Sequence, residues 1–222
     1  MTTATVTPPP AAGRVGPVPK VWTVDEFHRL GDQGWFEGRG AKLINGQVIE
    51  EGPRNHPHAT AATKTEDVIR KAFGKGWHVR VSKPLVLGRT TDPQPDAAVV
   101  RGRPSDYTDH PTTADLVVEV SDTSLKYDTT DKFGIYAAAG IAEYWVVDVN
   151  GRQLHVFRDP TTAGGAAGYA THQILGPADA VSPLAAPAAS VRRPTCCREL
   201  RRRGCTRTGR DGPAGQFGVT PG

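Results

Sequence analysis

The stretch Leu116-Val117-Val118-Glu119-Val120 is the most strand-like in the chain, and it carries a carboxylate in its middle. Alternate side chains of a strand share a face, so Val118 and Val120 point one way while Val117, Glu119 and Ser121 point the other. Burying a lone carboxylate is costly unless it is paired or bound to a cation. A chain with such a strand needs a sheet to hold it and a partner for its acid.

The other elements follow from local chemistry. Thr23-Val24-Asp25-Glu26 is a capping box, and Val24, Phe27 and Leu30 share a face, which predicts a short helix over 24–31. Two apolar runs flank Asn45-Gly46, a strong hairpin signal because both turn residues tolerate positive φ. Residues 58–73 have helical spacing, with Ala62, Ile69 and Phe73 on one side. Residues 77–87 read as extended, interrupted at Lys83-Pro84, and 96–100 as a short strand leaving a Pro-rich turn. A helix over 128–139 stops at Gly140. Strands over 144–149 and 153–157 are joined at Asn150-Gly151, and a Gly-rich loop over 164–168 leads to a last strand over 169–175. This order predicts an α/β (α+β) domain over 20–185, a mixed β-sheet flanked by helices.

Both ends differ in character. Residues 1–19 are rich in Thr, Ala and Pro and read as a disordered leader without the pattern of a secretory signal. Residues 186–222 are rich in Arg, Gly and Pro, have no apolar periodicity, and read as a disordered tail. The net charge is +4, but residues 190–222 hold eight Arg against two acids, +6, which leaves the remainder at −2. The basic balance therefore belongs to the tail and does not mark the domain as a nucleic-acid binder. Cys196, Cys197 and Cys205 all lie in the tail, so the body fits a reducing compartment and has no disulfide framework. No run of eighteen apolar residues occurs, so no membrane span is expected, and the cytoplasm is the default location.

Asp96, after Pro95, and Glu119 would converge on one divalent ion if their strands are neighbours. Magnesium takes oxygen ligands and often only one or two carboxylates, with water and substrate phosphate completing its shell. In the following helix Asp128, Lys132 and Tyr136 recur every four residues and share a face, from which Lys132 could reach the acids and neutralise charge building on a phosphate. Taken singly, Asp128–Lys132 reads as a solvated helix pair and Asp96 as a turn acid. The mid-strand Glu119 is the member that most needs an explanation.

Spacing then becomes specific. The block Leu116 to Ser124, then Asp128-Thr129-Thr130-Asp131-Lys132, Tyr136, and Gly140-Ile141-Ala142-Glu143-Tyr144-Trp145-Val146-Val147-Asp148 resembles the Uma2 family (DUF820) of the PD-(D/E)XK nuclease superfamily. The hairpin at 43–48, His58 at a helix start and Pro95-Asp96 resemble it as well, so the likeness spans about residues 22–185. The resemblance implies a restriction-endonuclease-like fold and DNA phosphodiester hydrolysis with magnesium, or manganese in its place, leaving 5′-phosphate ends. It matches Asp96 and Glu119 to the two motif acids and metal ligands. Ser121 stands where the motif has its lysine, so Lys132 is taken as the displaced catalytic lysine, with Lys126 as the second choice. Lys42 fills a position that is usually acidic in that family; it either pairs with a site carboxylate or is an exposed edge-strand lysine. A homodimer is compatible with the resemblance, though no residue argues for it.

Secondary candidates are weaker. His56-Pro57-His58 lacks a third metal ligand, although His58 could cap the helix or face the cleft. Ser121 and Ser124 suit caps or turns better than nucleophiles, and Glu143, Tyr144 and Trp145 suit a core anchor. Three functions compete: a magnesium-dependent deoxyribonuclease, a catalytically silent module of the same fold that binds nucleic acid or protein, and, less favoured, a hydrolase acting on another phosphorylated substrate with the same metal site. A nuclease should gather Arg54, Lys64, Arg70, Lys71, Lys75, Arg80 and Lys83 into a basic groove, whereas scattered placement favours the silent module.

Overall fold

The computed structural model describes residues 17–163 and 165–192. Most of the expected leader and tail, and all three cysteines, lie outside them.

Helix α1 (Val24–Asp32) starts at the expected capping box, with the Thr23 hydroxyl and the Glu26 carboxylate each accepting from the other's backbone N–H. The hairpin follows as β1 (Gly40–Ile44) and β2 (Gln47–Glu51). Its turn residues Asn45 and Gly46 have φ of 48° and 76°, the two positive values of a type I′ turn. Helix α2 (His56–Phe73) begins two residues earlier than expected because Asn55, whose side chain accepts from the His58 N–H, is the true cap.

The remaining elements build a six-stranded sheet in the order β3-β4-β5-β6-β7-β8. These strands are β3 (Trp77–Arg80), β4 (Ala97–Arg101), β5 (Leu116–Ser121), β6 (Glu143–Asp148), β7 (Gln153–Thr161) and β8 (Gly168–Leu175). The extended run expected over 77–87 is regular only to Arg80, since Ser82 takes a positive φ of 48°. All neighbours are antiparallel except β5 and β6, between which the chain crosses over through α3 (Leu125–Ala138). β5 and β6 are buried at every position, as central strands covered on both faces must be.

Side-chain alternation divides the core in two. Val118 and Val120 pack with Trp145 against Ala61, Ile69 and Phe73 of α2. Val117 packs with Tyr144 and Val146 against Tyr136 and Ala137 of α3. The two helices therefore cover opposite faces of the sheet. A third cluster, Val24, Phe27, Ala41 and Leu43, joins α1 to the hairpin. The hairpin is tied to the main body by the Gly46 N–H to the Thr90 carbonyl at 2.7 Å and the Asp92 N–H to the Leu43 carbonyl at 2.7 Å.

Two short strands were not legible from periodicity, β9 (Ala180–Val181) and β10 (Val191–Arg192), which pair antiparallel. Val191 is buried against the α2 side of the core, so ordered packing runs past residue 185 to Arg192, into the stretch expected to be tail.

The hairpin turn yields a direct test. A Cβ on Gly46 would lie 2.3 Å from the Val21 side chain and 3.2 Å from the Trp22 backbone, at a positive φ that side chains resist. Gly46→Ala should destabilise the fold by more than about 1 kcal/mol, measured by urea denaturation. An unchanged midpoint would refute the close packing of the hairpin on the Val21–Trp22 segment.

Candidate active site

The register of β4 on β5 brings the two sequence-predicted acids together. Ala97 pairs with Val118, so Asp96, one residue before, falls beside Glu119, one residue after. Both line one concave pocket of about 450 Å³. Lys132 lines it too, as do Arg54 and His58.

Asp96 is 6% exposed. Its Oδ2 accepts from the Val120 N–H at 2.8 Å and lies 3.3 Å from His58 Nε2. Its Oδ1 lies 3.2 Å from Arg54 Nη2 but accepts no well-formed hydrogen bond. Burial by itself would raise the pKa of this carboxyl; His58, the Val120 N–H and Arg54 outweigh it and hold Asp96 below the usual range.

Glu119 is 2% exposed, and the costly mid-strand carboxylate has found partners. Its Oε1 accepts from the Tyr136 hydroxyl at 2.7 Å, and its Oε2 is 3.1 Å from Lys132 Nζ. Lys132 Nζ is also 2.9 Å from Asp128 Oδ1. Desolvation pushes the Glu119 carboxyl up to about 7 against the pull of Lys132, with Asp96 and Asp128 adding to the rise. Burial opposes charge on Lys132, yet Glu119 and Asp128 raise its pKa, so its ammonium is firmly protonated. The Tyr136 hydroxyl is held well above its ordinary value by burial and by Glu119, and so donates its proton without losing it.

The Asp128, Lys132, Tyr136 face of α3 is thus no solvated surface: all three are buried. The exposed ion pair expected of Asp128–Lys132 alone is replaced by a buried network, because this face of α3 lies on Glu119 and Tyr144. Asp128 Oδ2 accepts from the hydroxyls of Ser121 and Ser124, and the Asp128 carbonyl accepts from the Tyr144 hydroxyl at 2.8 Å. Ser124 occupies the N-cap position of α3 but makes no side-chain cap bond; both serines serve the Asp128 carboxylate instead. Lys126 is exposed on the first turn of α3 and does not line the pocket.

Lys42 is 5% exposed, which overturns its reading as an exposed edge-strand lysine. Its Nζ pairs with Glu51 Oε1 at 2.6 Å, and both residues line the pocket. His56 is exposed at the start of α2 and not on the pocket wall, so the His-Pro-His motif does not act as a unit. Arg54 and His58 are the site members that sequence reasoning underrated. Asn55 and Pro57 mark a helix start, and that N-terminus opens at the pocket.

Among the described residues no group of three or more His, Cys, Asp and Glu side chains is arranged to hold a metal. Five carboxylates line the pocket, Glu51, Asp96, Glu119, Asp122 and Asp128, and the two expected as ligands are Glu119 and Asp96, which keeps one oxygen without a hydrogen bond. That pair fits a magnesium ion that retains most of its water, and does not fit a fully protein-coordinated cation.

The seven basic residues expected to form a groove do not all meet. Arg54 alone lines the carboxylate pocket; Arg70, Arg80 and Lys83 line a second groove, and Lys71 a third beside Arg192. Among the described residues no helix is long and apolar enough to cross a membrane. Glu143, Tyr144 and Trp145 are core anchors: Glu143 Oε1 accepts from the Trp145 indole and from Arg158.

Comparison with known proteins bears on the fold and the family. The crystal structure of "a putative nuclease belonging to DUF820" from Anabaena variabilis superposes with a TM-score of 0.57 at 16% identity, covering 77% of this chain and 94% of that one. At that identity the likeness speaks for the fold. No curated protein matches the chain. The Uma2 family model, described as "Putative restriction endonuclease", matches residues 24–193. The hairpin, both pocket acids and the α3 network all lie inside that span, and the chain belongs to the Uma2 family.

Proposed function

We propose that this protein is a metal-dependent endonuclease that hydrolyses DNA phosphodiester bonds, with Asp96 and Glu119 as ligands of a magnesium ion and Lys132 as the catalytic lysine. The observation that carries the reading is the buried Asp96–Glu119–Lys132 constellation in a concave pocket, with family membership behind it. When bound, magnesium supplies Lewis acidity that eases loss of a proton from water and offsets charge on a phosphate.

The chain's own residues have separable tasks. The Val120 N–H, His58 and Arg54 hold the Asp96 side chain in place. Lys132 stays protonated, so its task is a fixed positive charge that orients Glu119 and meets a substrate phosphate, not proton abstraction. Tyr136 sets the Glu119 carboxylate by donating to Oε1. Arg54, with a side chain 39% exposed at the pocket, can turn its free donors to a phosphate oxygen.

The test is cleavage of supercoiled, linear and single-stranded DNA in magnesium, manganese or EDTA. Cutting with either metal and none in EDTA is expected, and the absence of cutting on every substrate would overturn the proposal. Lys126→Ala, at an exposed position off the pocket, should keep the rate within about twofold; a large loss there would move the lysine role to Lys126.

One observation favours the second reading, a silent nucleic-acid-binding or protein-interaction module. The basic side chains are divided among three surfaces and do not form one duplex-wide groove. DNA binding without cutting in any metal would select it.

A further inference from the structure

We infer that the groove along the edge of β3, lined by Arg70, His78, Arg80 and Lys83, binds the phosphate backbone of a nucleic acid and leads it to the carboxylate pocket. This rests on the reading of that pocket as a DNA-processing site. β3 is the edge strand of the six-stranded sheet, and the groove runs beside it between α2 and the loop bearing Tyr107 and His110.

Three observations converge. First, cationic side chains outnumber acids there: Arg70, Arg80 and Lys83 face the groove, against Asp109 on its rim and Glu66, which pairs with Arg70 Nε at 2.8 Å. His78 feels the excess, since burial and then the charges of Arg80 and Arg70 depress its pKa.

Second, Arg80 has unspent donor capacity. Its Nη2 donates to the Pro84 carbonyl at 3.2 Å and meets His110 Nδ1 at 3.3 Å, while its Nε is buried without a hydrogen-bond partner. Desolvation lowers its pKa, so the guanidinium is held at a cost that an anion would relieve. A planar guanidinium that lines the groove suits a phosphate oxygen, which would meet its Nη atoms because Nε is shielded from solvent.

Third, a hydrogen bond ties the pocket to the chain segment that forms the groove. Arg54, 3.2 Å from Asp96, also donates from Nη1 to the Ser82 hydroxyl at 2.7 Å. Ser82 lies in the chain between Val81 and Lys83, which both line the groove, so one guanidinium joins a pocket acid to the segment that carries the groove's cations. A free phosphate would need only one such cluster. A line of cations ending at the proposed metal acids matches a polymer with a phosphate at every residue.

The experiment is DNA binding by the full chain in EDTA, by fluorescence anisotropy of a labelled oligonucleotide from 50 to 300 mM salt, with cleavage in magnesium run in parallel. The slope of log K against log salt counts the phosphates neutralised, at about −0.9 per contact on duplex and −0.7 on single strands. Lys83→Ala and Arg80→Lys should each weaken binding several-fold, and the Lys83→Ala slope should flatten by about one contact. Lys71→Ala, on the separate surface beside Arg192, should leave the slope unchanged. DNA binding with the same slope in native protein and Lys83→Ala overturns the groove, as does binding by native protein that shows no salt dependence. A flattened slope with no cutting by native protein supports the groove and sinks the nuclease reading by itself. Lys83 is exposed, so its loss should not disturb folding; a thermal melt verifies this.

Discussion

Glu119→Gln is expected to lower metal-dependent cleavage on the order of 10³-fold or more. The substitution keeps the shape of the side chain and an acceptor for the Tyr136 hydroxyl, but removes the charge that would face a divalent ion. Asp96→Asn should cost as much, because Asp96 is the other proposed metal ligand at the pocket. The fold should survive. A neutral amide at 119 escapes the desolvation that already pushes this carboxyl up to about 7, and Lys132 keeps Asp128 as an ion-pair partner. Loss of cutting with an unchanged melting temperature is therefore the expected pair of results. Equal cutting by native protein and both variants would mean either that the acids do not act or that the activity is a contaminant's.

Removing Lys132 should act on stability as strongly as on activity. Lys132→Met leaves Glu119 and Asp128, both buried, facing each other without the ammonium that separates them. Breaking a buried ion pair from one side typically costs about 3–5 kcal/mol, which for a domain of this size is a fall of roughly 10 °C in melting temperature. Magnesium should give back part of the loss, since a cation near Glu119 takes over some of the missing positive charge. Calorimetry with and without magnesium would measure both effects. A destabilisation below about 1 kcal/mol would show that the network is not the tightly coupled unit described here. An equal magnesium effect on native protein and variant would argue against an ion close to Glu119.

Much of this was legible in the sequence for local reasons. A capping box, an Asn-Gly turn and helical or alternating apolar spacing are short-range signals, so α1, the hairpin and the strands around Glu119 could be read residue by residue. The three residues proposed for the site, Asp96, Glu119 and Lys132, could be singled out through their order and their family pattern. The structure places them at one pocket.

Where sequence reasoning fell short, the missing information was long-range. Nothing local distinguishes Lys42 on a hairpin from any exposed lysine; its burial depends on the hairpin folding over the pocket that Glu51 also lines. Periodicity could not find β10, because two residues make no pattern, and Val191 is buried only by contact with Val181 and the α2 side of the core. Arg54 and His58 sit far from Asp96 in the chain, and only the placement of the α2 N-terminus beside β4 joins them.

The sequence alone was enough to read the class of the domain, the boundaries of most elements to within a few residues, and which two acids and which lysine to propose for the site. It could do so because backbone propensity, capping and side-chain alternation act over a few residues. Which residues share the pocket, and which cations face which carboxylates, depends on how distant segments pack in three dimensions. Those pairings are set by sheet register and helix docking between segments far apart in the chain, and burial then turns charges that would be screened in water into strong interactions.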